Sequence, residues 1–430
     1  MELLIQISIG FVEALKLLLI QPFYYIGILF VIFQYRRQIY LERKLFHTKL
    51  HSLLNETWKT IGWGIVGGFV CSLLLIFIGV SISFDVLILI WVISLILILF
   101  QVRFLCFSYS VGILGILHVL VVSFPFFESL KSTWILKTLI EINIPSLLSL
   151  VAILHLLEAF LYYMNGTKSS TPLFIKGKRG KIVGGYHFQG FWPVPLFLLI
   201  PTTSSGIVLP WNPILSNDIV TSGWMMIAFP VVIGFSEMTR VKLPMHKVKW
   251  SVKWLTVYSI VLLVLAFVSH FWSIFTFSAV LFCILFHEGI VYYSKKQEFN
   301  QPPIYVHDER GLFILGILPN SSAEKMGIKV GEIIHKVNGL EVYTKEDLHQ
   351  AIRVNSAYCK LEILNFEGES KFVKGALFSG EHHHLGLILA PDEQAMYYLE
   401  LNEKPIWAYI KMKLSGILGV DPSSKKNIQI

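Results

Sequence analysis

Several long stretches of this sequence contain at most one charged residue, and they limit the possible folds more than any other feature. A helix needs about 20 consecutive apolar residues to cross the hydrocarbon core of a bilayer. The clearest stretches of this kind are residues 61–80, 86–102, 104–127 and 144–164. The sequence therefore predicts a polytopic α-helical membrane domain.

Other apolar regions are interrupted or unusually long. Residues 191–217 and 219–236 are long enough to span a membrane, but prolines that include Pro193, Pro195, Pro201 and Pro210 predict that the first of them is broken or partly re-entrant. Residues 254–293 are too long for one crossing and predict a hairpin that turns near His270. Residues 11–33 contain Glu, Lys and Pro, so they form either a kinked span or an interfacial helix followed by a short one. The total is roughly eight or nine spans.

The charged residues indicate which side of the membrane the loops occupy. Only 15% of the residues are charged, against about 25% in soluble domains. The formal net charge of +8 is carried largely beside the apolar runs, in loops 34–60, 165–190 and 237–253. This pattern is typical of cytoplasmic loops near anionic lipid and requires no nucleic acid. Because the last span ends at Lys295 and Lys296, we expect everything after it to be cytoplasmic. The N-terminus lies outside if the first apolar run is a full span and inside if that run only dips into the membrane.

Ionisable residues inside the predicted spans are candidates for function, because burying them in lipid is costly. They are Asp85, Arg103, His118, His155, Glu158, His287 and Glu288. His155 and Glu158 share a helix face, so a transport or proton path is one interpretation. We favour the alternative that residues near span ends reach the interface and that His118 pairs with His155 and Glu158 between helices.

The pattern changes to short alternating strands from Gly311 onward. Asn338-Gly339 predicts a tight hairpin turn, and Thr344 with Asp347 predicts the start of a helix. The predicted organisation is a membrane domain over 1–295, a linker over 296–310, a small α+β domain over 311–391 and a tail over 392–430.

The small domain resembles bacterial PDZ domains in a long and specific order of hydrophobic, glycine and turn positions. The matching segments are Ile317-Leu318-Pro319-Asn320-Ser321-Ser322-Ala323, Met326-Gly327-Ile328, Val330-Gly331-Glu332-Ile333-Ile334 and Val337-Asn338-Gly339. The resemblance implies an α+β fold that binds an extended peptide, or a protein C-terminus, as an added strand.

The resemblance also implies a position for the peptide-binding groove. The best match to the hydrophobic-Gly-hydrophobic loop follows the core, which fits the permuted strand order of some bacterial PDZ domains. The groove would lie between the strand from Leu385 to Leu389 and the helix from Lys345 to Val354. Its candidate residues are Leu385, Gly386, Leu387, Ile388, Leu389, Leu348, Ala351 and Ile352. The alternative is that the strand only closes the domain's own sheet.

The sequence predicts no metal site, no cofactor and no catalytic residue. The four cysteines, Cys71, Cys106, Cys283 and Cys359, have no ligand spacing and are expected to be packing residues. Three consecutive histidines, His382, His383 and His384, cannot converge on one ion within a strand. Residues 287–291 resemble the His-Glu-x-x-His motif of zinc proteases but lack its second histidine. A degenerate or unusual PDZ-containing intramembrane protease, or a transporter with a regulatory PDZ domain, remains an alternative to a binding protein.

The layout of the whole chain, with many spans, a basic segment from Glu42 to Lys49 and a PDZ domain without a protease motif, resembles the MinJ family of Bacillus and its relatives. Members of that family are cell-division topological determinants. The resemblance implies a multi-pass protein of the cell membrane, enriched at septa and poles. It further implies an adapter that links a DivIVA-type scaffold to MinD and so restricts assembly of the FtsZ ring. In the tail, Pro405 and the apolar residues after it predict an amphipathic helix that packs on the PDZ domain or on the membrane.

Overall fold

The computed structural model describes residues 2–124, 126, 133–177, 180–201, 214–215, 223–355, 358–376, 385–392, 395, 397–400 and 428–429. The helices are α1 (Glu2–Ile20), α2 (Pro22–Phe46), α3 (Leu53–Ile78), α4 (Phe84–Ile98), α5 (Phe107–Ser123), α6 (Trp134–Glu141), α7 (Ile144–Asn165), α8 (Pro244–Phe271), α9 (Thr276–Asn300), α10 (Ser322–Lys325) and α11 (Lys345–Arg353). The strands are β1 (Ser170–Lys176), β2 (Ile182–Pro201), β3 (Trp224–Thr239), β4 (Leu312–Ile317), β5 (Ile333–Val337), β6 (Leu340–Glu341), β7 (Tyr358–Leu364), β8 (Ser370–Ala376), β9 (Leu387–Leu389), β10 (Leu399–Glu400) and β11 (Ile428–Gln429). A five-stranded sheet with the order β11-β10-β1-β2-β3 accompanies the long helices, and a six-stranded sheet follows them.

Four helices of the described chain are long and apolar enough to cross a membrane: α3, α7, α8 and Ser273–Asn300, which contains α9. The pair α1 and α2 adds a fifth candidate that is bent by 59°. The bend occurs at Pro22, whose missing N–H cannot continue α1. The bend fits both interpretations of the first apolar run, and the predicted hairpin of α8 and α9 is confirmed.

The prediction of eight or nine spans is wrong. The described parts of residues 191–217 and 219–236 form the strands β2 and β3 and a short turn at 214–215. These described parts contain no helix. α4 and α5, with 15 and 17 residues, are shorter than the other candidates. A strand that is apolar on both faces shows no period of two, so hydropathy alone does not distinguish it from a helix.

β2 and β3 form a long antiparallel hairpin that packs against α1, α2, α3 and α7. Along such a strand, backbone groups alternate between those bonded to the partner strand and those that point outward. The N–H of Phe197 bonds to the Ser72 hydroxyl of α3 at 2.8 Å, so Phe197 points outward. Pro193 and Pro195 have the same orientation. The two prolines therefore occupy positions where an N–H would find no acceptor on β3.

Polar side chains from the helices satisfy other outward groups of the hairpin. Gln34 Nε2 donates to the Gln189 carbonyl of β2 at 3.2 Å. Gln21 Nε2 donates to the Ala228 carbonyl of β3 at 3.0 Å. An unsatisfied backbone group in an apolar environment costs several kcal/mol. These side chains therefore allow the edges of a sheet to lie among apolar helices.

Two glycines of α3 bring that helix directly onto the hairpin. A Cβ at Gly64 would lie 2.3 Å from the carbonyl oxygen of Pro193, and a Cβ at Gly68 would lie 2.4 Å from that of Pro195. Both separations are far below van der Waals contact. Any side chain at either position would therefore push α3 away from β2.

The second domain consists of β4 to β9 with α10 and α11, and its sheet has the order β8-β7-β5-β4-β9 with β6 paired to β5. Its strands and helices confirm the elements that the sequence predicts. The Thr344 hydroxyl accepts a hydrogen bond from the Asp347 N–H, and the Asp347 carboxylate accepts one from the Thr344 N–H. This capping box begins α11 as predicted.

The second domain packs on one end of the first sheet. The Tyr186 hydroxyl of β2 donates to the Leu315 carbonyl of β4. The Gly184 N–H donates to the Tyr305 carbonyl at 2.9 Å, and the Tyr305 hydroxyl donates to the Lys242 carbonyl at 2.6 Å. The segment between α9 and β4 is therefore bonded to the strands and loops of the first sheet.

Candidate peptide-binding groove

The candidate groove contains β9, which forms an edge of the second sheet. Within the described residues, β9 has one neighbouring strand, β4. The Gly386 carbonyl accepts from the Leu318 N–H at 2.8 Å, and the Ala390 N–H also bonds to the β4 side. By the alternation of an antiparallel strand, the backbone groups of Leu387 and Leu389 point to the open edge. This edge has the polarity and position needed to pair with an added strand.

The predicted groove side chains divide between two faces of the sheet. Six of them belong to the core of the second domain or pack against it: Leu348, Ala351, Ile352, Leu385, Leu387 and Leu389. Of these, Leu387 is half-buried and the others are buried. The structure places Ile388 on the opposite face, where it packs near Gly316 and joins the core of the helical part. Leu387 is therefore the groove side chain that a ligand would meet first.

Gly386 is required by the domain's own packing. Its φ of 79° lies in the left-handed region, which side-chain-bearing residues rarely adopt. A Cβ there would lie 2.1 Å from the Cβ of Ser321, the residue that caps α10. This glycine, which the sequence predicts to lie in the groove, is thus closely approached by Ser321 of the domain itself.

The helix wall of the groove is fixed at both ends. Its first turn is held by the capping box described above. Near its last turn, Asn338 Nδ2 donates to the Ala351 carbonyl at 2.8 Å, and Asn338 Oδ1 accepts from the Lys360 N–H at 2.9 Å. α11 is thereby connected to the turn after β5 and to β7.

An ion pair connects α11 to the chain just after β9. Lys345 Nζ lies 2.8 Å from Asp392 Oδ2. His307 Nε2 lies 3.3 Å from the other oxygen of the same carboxylate, and His307 Nδ1 accepts from the Phe313 N–H. Burial lowers the pKa of His307. The sequence patterns predict none of these residues as part of the site, although an acidic residue just after a predicted binding strand is a signal that points to Asp392.

The ionisable residues of the helices are paired differently from the prediction. Arg103 Nη1 lies 3.0 Å from Glu288 Oε1. His118 Nδ1 lies 2.7 Å from the Leu139 carbonyl oxygen, and His155 Nδ1 lies 2.8 Å from that of Val151. The expectation that His118 pairs with His155 and Glu158 is wrong, because backbone carbonyls of α6 and of the preceding turn of α7 are the acceptors for the two histidines.

Two predictions fall on residues outside the described ranges. These are the three histidines at 382–384 and the amphipathic helix that begins at Pro405. The described part of the tail includes β10, which pairs in parallel with β1 through Ile175 and Leu399. That strand places part of the tail beside the first sheet.

Comparison with known proteins gives concordant results. A PDZ-domain family model matches residues 313–363. The cell division topological determinant MinJ of Bacillus subtilis (strain 168) is 28% identical over 398 residues, which cover 91% of this chain and 97% of that protein. The probable cell division topological determinants MinJ of Lacticaseibacillus paracasei and of Lacticaseibacillus casei (strain BD-II) are each 24% identical over 263 residues, covering 60% of this chain and 69% of each relative. With a PDZ core, several helices that can span a membrane and similarity along nearly its whole length, the chain is a MinJ-like protein.

Proposed function

We propose that this protein is a membrane-anchored adapter in division-site selection. Its PDZ domain would capture a protein segment, and its partners would be a DivIVA-type scaffold, MinD and components of the FtsZ ring. The similarity to cell division topological determinants over 91% of the chain carries this proposal. The open edge of β9 supports it, because strand addition at a sheet edge is how PDZ domains bind peptides.

The arrangement of basic residues supports a cytoplasmic location for the PDZ domain. Arg43 and Lys44 lie in the last turn of α2, not in a loop, and Lys247 lies in the first turn of α8. The segment that leads from α9 into the PDZ domain lies at this end of the helices, where the Tyr305 hydroxyl bonds to the Lys242 carbonyl. Basic residues collect on the cytoplasmic side of membrane proteins. The PDZ domain would therefore be cleaved by protease in inverted vesicles and protected in right-side-out vesicles.

Localisation tests the role in division. A fluorescent fusion of the full chain is expected to concentrate at septa and poles of growing cells. Recovery of the DivIVA-type scaffold and MinD with the detergent-solubilised protein would identify the partners. A uniform signal around the membrane would contradict a role in division-site selection.

A pair of substitutions at Leu387 tests whether the edge of β9 binds the partner. Leu387→Pro removes an N–H that points to the open edge and leaves the bonds to β4 in place, as proline permits at edge strands. Leu387→Ala removes the same side-chain contacts but keeps the N–H. One lost hydrogen bond of about 1 kcal/mol corresponds to roughly fivefold in affinity. We therefore expect the amount of partner that co-purifies with the proline variant to be lower than with the alanine variant, by about fivefold or more. Equal retention by the two variants would show that no strand is added at β9.

A further inference from the structure

Three potential metal ligands from distant parts of the sequence meet among the helices. Cys106 stands immediately before α5, His155 lies in α7 and His287 lies in α9. Cys106 Sγ lies 3.0 Å from His155 Nε2 and 3.6 Å from His287 Nε2. The three ligand atoms all lie within 4.8 Å of one another. A single ion can therefore contact all three.

The outer hydrogen bonds orient both imidazoles toward this point. His155 Nδ1 lies 2.8 Å from the Val151 carbonyl, which can only accept, so Nδ1 carries the proton. His287 Nδ1 lies 3.3 Å from the Tyr109 hydroxyl, and that hydroxyl donates to Glu288 at 2.6 Å. The Tyr109 oxygen is thus an acceptor, and His287 Nδ1 is protonated as well. Both Nε2 atoms then present lone pairs to Cys106, the arrangement that second-shell partners impose on metal-bound histidines.

Hydrogen bonds alone leave this group incompletely satisfied. Cys106 Sγ is the hydrogen-bond partner of both Nε2 atoms. A neutral thiol has only one proton, so it can donate to only one of them. Among the residues that the structure describes, one imidazole lone pair therefore lacks a donor. Such a buried unsatisfied atom costs about 1–3 kcal/mol, and His155 is 2% exposed. A cation would engage both lone pairs and the sulfur at once.

We propose that Cys106, His155 and His287 form a binding site for a zinc ion. Thiolate and imidazole are the ligands that Zn²⁺ prefers, and a tetrahedral site with usual bond lengths separates sulfur from nitrogen by about 3.5 Å. The observed 3.0 and 3.6 Å require only small side-chain shifts. Binding releases the thiol proton. Three protein ligands leave the fourth position for water or another ligand, as in zinc sites that are not purely structural.

The surroundings can compensate the charge of the ion. Zn²⁺ with one thiolate has a net charge of about +1. Glu158 is near enough to Cys106 to interact with it electrostatically. Glu288 lies beyond His287 through Tyr109, but its charge is already paired with that of Arg103. The site thus combines three ligands, oriented tautomers and the nearby Glu158 carboxylate.

Metal analysis of the full-length protein in detergent tests the site. After incubation with zinc and removal of free ion, we expect about one zinc per chain in the wild type. Cys106→Ser and His287→Ala should bind at least tenfold less. Cys71→Ser and His118→Ala are matched controls that should retain zinc. A variant with alanine at His382, His383 and His384 should also retain it. The proposal is overturned if the wild type binds no zinc, if Cys106→Ser binds as much as the wild type, or if the triple-alanine variant loses the ion.

Two further measurements separate metal binding from packing. Cobalt(II) added to the wild type should give a thiolate-to-cobalt charge-transfer absorption, and its absence would overturn the proposal even if Cys106→Ser fails to fold. Tyr109→Phe removes the acceptor that orients His287 and should weaken zinc binding about 10–100-fold. An unchanged zinc affinity in folded Tyr109→Phe would refute the role given to the outer hydrogen bonds.

Discussion

Gly386→Ala should destabilise the PDZ domain by two separable effects. Its φ of 79° costs a residue with a side chain about 1–2 kcal/mol. The new Cβ would also stand 2.1 Å from the Cβ of Ser321, and relief of such overpacking typically costs about 1–3 kcal/mol. The sum of about 2–5 kcal/mol is large beside the roughly 5–15 kcal/mol that stabilises a typical domain. We expect the PDZ domain to unfold at a clearly lower urea concentration than in the wild type.

Two variants separate the contributions. Gly368 has a φ of 82° and open space around its Cβ position, so Gly368→Ala carries only the backbone cost. Ser321→Gly in the Gly386→Ala background removes the clashing atom, and glycine is only a few tenths of a kcal/mol worse as an N-cap. Protease cleavage of the PDZ domain in the full chain, measured over increasing urea, gives the stabilities. If Gly386→Ala is no less stable than Gly368→Ala, or if Ser321→Gly does not restore stability, the packing argument is wrong.

The predicted destabilisation at Gly386 decides which substitutions can test the groove. A bulky residue at Gly386 would weaken partner capture by unfolding the domain, whether or not a ligand touches that position. The paired substitutions at Leu387 avoid this ambiguity, because Leu387 is half-buried and its backbone points to the open edge. Loss of binding at Gly386 alone would therefore say little about the ligand.

Other predictions concern the helical part. Gly68→Ala should lower the free energy of unfolding by about 1–3 kcal/mol, because its Cβ meets the Pro195 carbonyl; Gly62→Ala, with nothing within 4 Å of its Cβ position, should not. Thermal unfolding in detergent measures both, and equal melting temperatures would contradict the packing of α3 on β2. Burial opposes protonation of His51, but the hydrogen bond and charge of Glu42 outweigh it, so the pKa of His51 is raised. The resulting stabilisation is complete below the unfolded pKa of about 6.5 and is lost as pH rises through the higher folded value. His51→Gln should flatten this part of the stability profile, and an unaltered profile would exclude His51 as its cause.

Much of the architecture follows from local sequence patterns. The apolar runs specify α3, α7 and the α8–α9 hairpin, since about 20 apolar residues suffice for each crossing. The PDZ elements are specified by turn and capping residues such as Asn338 and Thr344, which act within a few positions of their place in the chain. These features are predictable because their causes are local.

The errors arise where the cause is not local. The residues of β2 and β3 are apolar on both faces, so the length of the run suggested helices, although Pro193 and Pro195 marked strand positions without a donor. The meeting of Cys106 with His155 and His287 depends on how three separate elements pack. No spacing pattern in the sequence predicts that these three side chains meet.

The β2–β3 hairpin also constrains how the protein is made. A helix satisfies its own backbone and can enter the bilayer by itself, but a lone strand cannot. β2 needs β3 on one side and the side chains of Gln34 and Ser72 on the other. Because β3 is synthesised after α7, neither strand can reach its final environment until most of the helical part has been translated. The hairpin must therefore assemble late and as one unit, so a ribosome-bound chain that ends before Trp224 should leave β2 accessible to modifying reagents.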